Sequence, residues 1–314
     1  MLDLLNILKY SKKNENESAN DSDDEENNEA LVSESTKKYG QVGLKNLGNI
    51  SYMNSIIQQM YMVPTFRYAI ISADEGEFSN QNSKYQYSEN DYYAYLLHQL
   101  QKMYTYLTFS DKIDYNPRDF CFSYKNFDGN PINVMAQQDN QKFYNNFCNK
   151  IENSLKKTQF KYIVNDVFSG KTCSSIKCQN CKHISNRFED FYNLTLEVKN
   201  ITTLKDSLQK LNVPQIISDF KCPNCKQKVT INTITSLNKL PNVLVVHLKR
   251  FYLDYESYHI KKINSKFEFP RNLNLKHFVL KKLQKICPKK KKLKMKHLIY
   301  IIEKIVIMNM NLKE

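Results

Sequence analysis

Residues Gly43 to Tyr61 read GLKNLGNISYMNSIIQQMY, a glycine-punctuated loop running into an amphipathic segment. Gly43 and Gly48 permit tight turns and close backbone approach. The apolar positions Met53, Ile56, Ile57, Met60 and Tyr61 recur at helical spacing, which predicts a helix that opens near Ser51. The first turn of a helix carries unpaired N–H groups and the positive end of the macrodipole, so a cysteine placed there is favoured as its reactive thiolate. Ser51 occupies that place. A serine hydroxyl is far harder to deprotonate than a thiol and needs a paired base before it can attack. The stretch therefore has the layout of a nucleophile site and lacks the nucleophile.

Downstream of this stretch the pattern stays helical to about residue 157. In 91–108 (DYYAYLLHQLQKMYTYLT), Tyr92, Tyr95, Leu96, Gln99, Leu100, Met103 and Leu107 line one side, predicting a helix that packs on the first. A turn-rich link, DYNPRDF, follows. Asp139 is placed to cap a further helix whose apolar face runs Phe143, Phe147, Ile151 and Leu155.

From about Val164 the texture changes to short β-rich runs with turn signals, and alternation is clearest in NVLVVHLKRFYL at 242–253. Within this region Cys178 and Cys181 form one Cys-x-x-Cys pair, and Cys222 and Cys225 form another. Each two-residue gap lets two thiolates from one tight turn reach a single ion, and four thiolates suit a closed tetrahedral zinc site with a structural role. The forty residues between the pairs fit a ribbon with an insertion between two local knuckles. Cys173 is read as a buried or free thiol, while Cys121, Cys148 and Cys287 carry no partner pattern. His247 sits inside the alternating run and is read as a strand residue.

With 314 residues and 41% hydrophobic content, the chain has ample material for one large domain or two ordinary ones. The net charge of +14 is unevenly spread. Residues 11–36 hold nine acids against two lysines, are free of aromatics and read as a disordered leader. Residues 271–314 hold thirteen basic residues against two acids. Eight cysteines, half of them in metal-like pairs, point to a reducing compartment, and no secretory leader or run of about 18 apolar residues is present. The expected location is cytoplasmic, nuclear or both, with no membrane partner. A nucleic-acid-binding zinc ribbon is the rival from another class; no interleaved basic and aromatic stripe follows the knuckles and no nucleic-acid module signature supports it.

The opening stretch resembles the Cys box of the ubiquitin-specific proteases, usually read as GLxNLGNTCYMNSxLQ. It agrees at Gly43, Leu44, Asn46, Leu47, Gly48, Asn49, Tyr52, Met53, Asn54, Ser55 and Gln58. Ile50 replaces the usual threonine and Ser51 the catalytic cysteine. MAQQDNQKFYNNF at 135–147 is similar to the family's second box, QQDAxEF, through Gln137, Gln138, Asp139 and Phe143, with Lys142 standing where an acid is usual. NPRDF and FDGNPINV are similar to links in the large fat-facets-like members, and LPNVLVVHLKRF with INSKFEFP resembles the family's palm strands.

The resemblance implies a papain-like α/β (α+β) fold. A thumb would span residues 39–160, zinc-bearing fingers 161–240 and a partial palm 241–278, after the leader 1–38 and before a basic tail 279–314. It implies ubiquitin or ubiquitinated proteins as partners, with contacts at Gln137, Gln138 and Asp139 and zinc on Cys178, Cys181, Cys222 and Cys225. It puts Ser51 in the nucleophile's position and makes Asn46 a candidate oxyanion donor, although Asn46 is equally suited to bonding its own turn. The family's Gly-His-Tyr box has no counterpart, since no glycine follows Gly170. A sequence that left its true frame, a truncated relative and a diverged palm all account for this. The expected function is a ubiquitin-binding protein of deubiquitinase family that is inactive as written. The alternative is an active thiol deubiquitinase whose Ser51 and final segment are misread.

Overall fold

The computed structural model describes residues 41–74, 89–126, 128–270, 273–275, 278–279 and 298–301. The leader 1–38, His277, Cys287, His297 and most of the basic tail lie outside the described residues. The chain divides into two compact units, Met1–Ile163 and Val164–Glu314.

The first unit is helical. A short strand β1 (Gly43–Leu44) leads into α1 (Ser51–Tyr61), followed by α2 (Pro64–Ser72), α3 (Glu89–Phe109), β2 (Asp114–Tyr115), α4 (Arg118–Ser123) and α5 (Asn140–Leu155). β1 and β2 pair in parallel. α1 opens at Ser51, as its apolar spacing predicts, and buries Tyr52, Met53, Ile56, Ile57 and Met60. α5 starts where Asp139 caps it, the carboxylate accepting from Lys142 N at 2.7 Å. Its expected apolar face is fully inside: Phe143, Phe147, Ile151 and Leu155 are all buried. Tyr52 of α1 meets Phe143 of α5 edge to face, with ring centroids 5.4 Å apart.

α3 is more deeply embedded than a one-sided helix. Beyond the expected stripe, Leu97, Gln101, Tyr104 and Thr105 are buried too, because α2, α4 and α5 all pack on α3. Gln101 donates its amide to the Ile70 and Ala73 carbonyls at 3.0 and 2.8 Å, closing the end of α2. Its link to α1 is made by side chains: Tyr104 donates to the Ile57 carbonyl and Tyr61 shares a hydrogen bond with Thr108.

After α6 (Ile163–Phe168), the second unit contains a four-stranded antiparallel sheet and a three-stranded parallel one. The antiparallel sheet joins β3 (Gly170–Cys178), β4 (Ile184–Phe191), β6 (Gln215–Lys221) and β7 (Lys228–Lys239) in the order β4-β3-β7-β6. The parallel sheet places β8 (Val243–Lys249) between β5 (Asn193–Glu197) and β11 (Leu298–Ile301). Both of its neighbours run parallel to β8, which fits a strand reading VLVVHLK that is buried nearly throughout. His247 lies within β8 opposite Thr195, in the strand role expected of it. Leu194, Leu196, Leu244, Val246 and Leu248 from this sheet form a core with Leu204 and Leu208 of α7 (Leu204–Leu211) and with Phe267. A two-stranded hairpin, β9 (Phe251–Asp254) with β10 (His259–Lys262), follows β8.

INSKFEFP, expected as a strand, is not one. Glu268 instead makes a single bridge, donating to Thr202 O and accepting from Leu204 N, so its backbone closes the start of α7 rather than extending a ladder. No helix among the described residues is long and apolar enough to cross a membrane.

Candidate functional site: the loop before α1 and the four-cysteine knuckles

In the first unit, the loop from Asn46 to Ile50 delivers Ser51 to the first turn of α1. Gly48 has φ of +148°, and a Cβ there would lie 2.7 Å from Val134 O and 2.9 Å from Met135 Sδ. That close approach is used: Asn49 N donates to Val134 O and Asn49 Nδ2 to Met135 O, each at 2.7 Å. The loop that leads into Ser51 is thus laced to the segment that runs directly into Gln137, Gln138 and Asp139.

Other motif side chains act as clips. Asn54, buried on α1, donates to Lys45 O at 3.0 Å, and Gln58 donates to Val42 O at 3.0 Å, fastening the strand before the loop to the helix after it. Ser55 Oγ donates to the Ser51 carbonyl at 2.6 Å. The sequence quotes these residues as matches to a motif, yet their structural work is visible only once their distant carbonyl partners are known.

Ser51 is half-buried, and no side chain caps α1. Asn46 is exposed and its Oδ1 accepts from Ile50 N at 3.3 Å. Its oxygen, not its nitrogen, therefore faces the helix terminus, which is the turn-bonding arrangement of the residue. Gln137 is exposed, Gln138 half-buried, and Asp139 is engaged as the cap of α5. The two thiols of this unit, Cys121 and Cys148, are both buried. Burial pushes Cys121 up to about 11 and raises Cys148 well above the ordinary thiol range. Tyr52, next to Ser51, is pushed up to about 12, chiefly by burial and then by Cys121.

In the second unit, the Sγ atoms of Cys178, Cys181, Cys222 and Cys225 all lie within 4.8 Å of one another. The Cys181–Cys222 separation is 3.7 Å, close to the edge of about 3.8 Å that a tetrahedron with metal–sulfur bonds of about 2.3 Å requires. The two knuckles are built alike. Cys178 N bonds His183 O and Cys222 N bonds Gln227 O, at 2.9 and 3.0 Å, while Lys182 and Lys226 take φ of 62° and 58° at matching places. Asn224 reaches across to Cys181 Sγ at 3.5 Å, and Asn180 to Gln227 Oε1 at 2.8 Å. Donors aimed at sulfur favour thiolate: Asn224 first, then the His183 backbone bond, bring Cys181 down to about 6.

One knuckle closes the β3–β4 hairpin and the other the β6–β7 hairpin, with β3 and β7 paired between them. The four cysteines thus fit a single metal ion that would pin two hairpins at their turns. All four positions are protein thiols, so the ion would hold structure and leave no open place for substrate. Cys173 stands apart from this group, buried in mid-β3 opposite Phe188 and Ser236.

The family model described as ubiquitin carboxyl-terminal hydrolase matches residues 42–300, so the chain belongs to that family, in its ubiquitin-specific protease branch. Among curated relatives it is 30% identical to ubiquitin carboxyl-terminal hydrolase puf of Drosophila melanogaster over 78% of the chain. It is 31% identical to human ubiquitin carboxyl-terminal hydrolase 34 over 74% of the chain, and 30% identical to human ubiquitin carboxyl-terminal hydrolase 9Y over 75%. The chain spans only 6%, 6% and 11% of the length of these relatives. The mixed α/β architecture is the one the resemblance implies. The family match runs to residue 300, into the segment that forms β11, beyond residue 278 where the sequence motifs end.

Proposed function

We propose that the chain recognises ubiquitin or ubiquitin-bearing proteins and, with serine at position 51, holds the ubiquitin C-terminus without cleaving the bond behind it. The observation that carries this reading is Ser51 at the first turn of α1, in a loop–helix junction whose clips are all made and whose thiol is gone. Within Met1–Ile163 the sequence has a single histidine, His98 on α3, and the two remaining cysteines of α4 and α5 are buried and hard to ionise. Exposed Gln137 on the segment laced to the loop supports a contact surface there, joined by Gln138 and Asp139. The metal of the four-cysteine site is zinc in this reading, serving the fingers as a structural ion. Paired thiols of this kind suit a reducing cytoplasm or nucleus.

A fluorogenic ubiquitin conjugate tests the proposal. The chain is expected to give no turnover; turnover that Ser51→Ala abolishes overturns it. A hydrolase reading is favoured by the intact scaffold around position 51. It needs a base in place of the histidine whose box the sequence lacks, and predicts that Ser51→Cys produces turnover; a Ser51→Cys protein without turnover removes it.

A further inference from the structure

Each knuckle carries the same short pattern, Lys-Cys-x-Asn-Cys-Lys, at 177–182 and again at 221–226, and Lys228 follows the second. All five lysines are exposed. Among the described residues none of the five forms an ion pair; Lys171, Arg187, Lys249, Lys261 and Lys266 are the cations of this unit seen paired with a carboxylate. Among the described residues the one hydrogen bond made by their side chains is Lys182 Nζ donating to the Gln179 carbonyl at 2.6 Å. Like turns place the lysines alike. Lys177 and Lys221 precede the first cysteine of each knuckle, and Lys182 and Lys226 follow the second in the left-handed conformation. We propose that this lysine collar is a docking site for an extended acidic peptide segment.

The dimensions support that partner. The four sulfurs lie within 4.8 Å of one another. Allowing for the cysteine side chains and one Cα step of about 3.8 Å on each side, the flanking lysine backbones fall within roughly 18 Å. An extended peptide covers that distance in about five or six residues. A run of that length in this chain, Asp21 to Glu26 (DSDDEE), sets five carboxylates against the five lysines, and serves as the model of the chemistry recognised. The collar has no arginine to fork onto phosphate and no exposed aromatic among the residues of either knuckle on which a base could stack. Point charges without forks or platforms match carboxylates on a flexible strand better than a nucleic acid. A tetrathiolate site carries net negative charge, which part of the collar offsets; five lysines exceed what two residual charges require.

The test uses the full chain with Glu and Asp of residues 15–34 replaced by Gln and Asn, so that its own acidic run does not compete. A fluorescein-labelled peptide of residues 14–30 is titrated in by anisotropy at 50 and 200 mM salt. Saturable binding is expected, weakened at least several-fold by the higher salt, because exposed charges are screened over about 10 Å. The quadruple variant Lys177→Gln, Lys182→Gln, Lys221→Gln, Lys226→Gln should bind on the order of tenfold or more weaker, since each exposed pair contributes up to a few-fold. Metal content by elemental analysis must stay equal in the two proteins, which separates a lost partner from a lost knuckle. Binding unaffected by the four substitutions, no binding at either salt concentration, or loss of binding only together with the metal overturns the proposal. Tighter capture of a single-stranded oligonucleotide than of the peptide overturns it as well, in favour of a nucleic-acid surface.

Discussion

Replacing Gly48 by alanine isolates what the loop before α1 depends on. The new Cβ meets Val134 O at 2.7 Å and Met135 Sδ at 2.9 Å, so either the loop or the 134–135 segment must move by several tenths of an ångström. Moving either one stretches both hydrogen bonds made by Asn49, each 2.7 Å long. A φ of +148° in a residue with a side chain costs about 1–3 kcal/mol, and each weakened hydrogen bond about 1 kcal/mol. Gly48→Ala should therefore destabilise the first unit by about 3–5 kcal/mol. Gly129→Ala is the internal control: its φ is +79° but nothing lies within 4 Å of an added Cβ, so only backbone strain of about 1–2 kcal/mol applies. Thermal unfolding followed by circular dichroism, with amide exchange of α1 and α5 to assign the loss to the first unit, reads both. At about 2–4 °C per kcal/mol, Gly48→Ala should lie several degrees below Gly129→Ala. Equal midpoints for the two variants would refute the lacing of the loop onto residues 134–135.

Three further outcomes follow from the same geometry. The Tyr52 hydroxyl is buried without a hydrogen-bond partner, so Tyr52→Phe should leave stability unchanged or raise it by up to about 1 kcal/mol, whereas a clear loss on denaturant unfolding would mean that the hydroxyl is satisfied. Stripping the metal with a chelator, or Cys222→Ser, should remove one bound ion per chain and speed amide exchange in β3, β4, β6 and β7 together; unchanged exchange would show that the sheet stands without it. Lys261 first, and then Ser257, hold Asp254 down to about 2, below its ordinary value of about 3.9. A depressed carboxylate supports the fold fully above its unfolded value and ceases to as pH falls through its folded one. The β9–β10 hairpin should accordingly keep its exchange protection at pH 5 and lose it between about pH 4 and 2. An NMR titration that puts Asp254 at its ordinary value contradicts this.

Much of this architecture is legible in the chain itself, where the signal is local. The start of α1 at Ser51, the Asp139 cap and the two knuckles each follow from residues a few positions apart. Apolar spacing does not single out α2, α4, α6 or α7, although two of them carry a local sign: Pro64 at the first turn of α2, and Thr203 with Asp206 at the start of α7, where Thr203 Oγ1 accepts from Asp206 N at 3.1 Å. The second buried side of α3 and the bridge at Glu268 depend on what packs against them, which no periodicity records. The same holds at the site. Ser51 and Asn46 stand out in the motif, but the direction of the Asn46 amide is set by the Ile50 N–H, and the clips formed by Asn49, Asn54 and Gln58 rest on backbone carbonyls further off in sequence.

The function proposed for this scaffold is recognition of ubiquitin with serine in place of a nucleophilic cysteine at position 51. Calorimetric titration of the full chain with ubiquitin reads it most directly. Saturable one-to-one binding that survives Ser51→Ala is predicted; the absence of any binding heat at ubiquitin concentrations well above the micromolar range would contradict it.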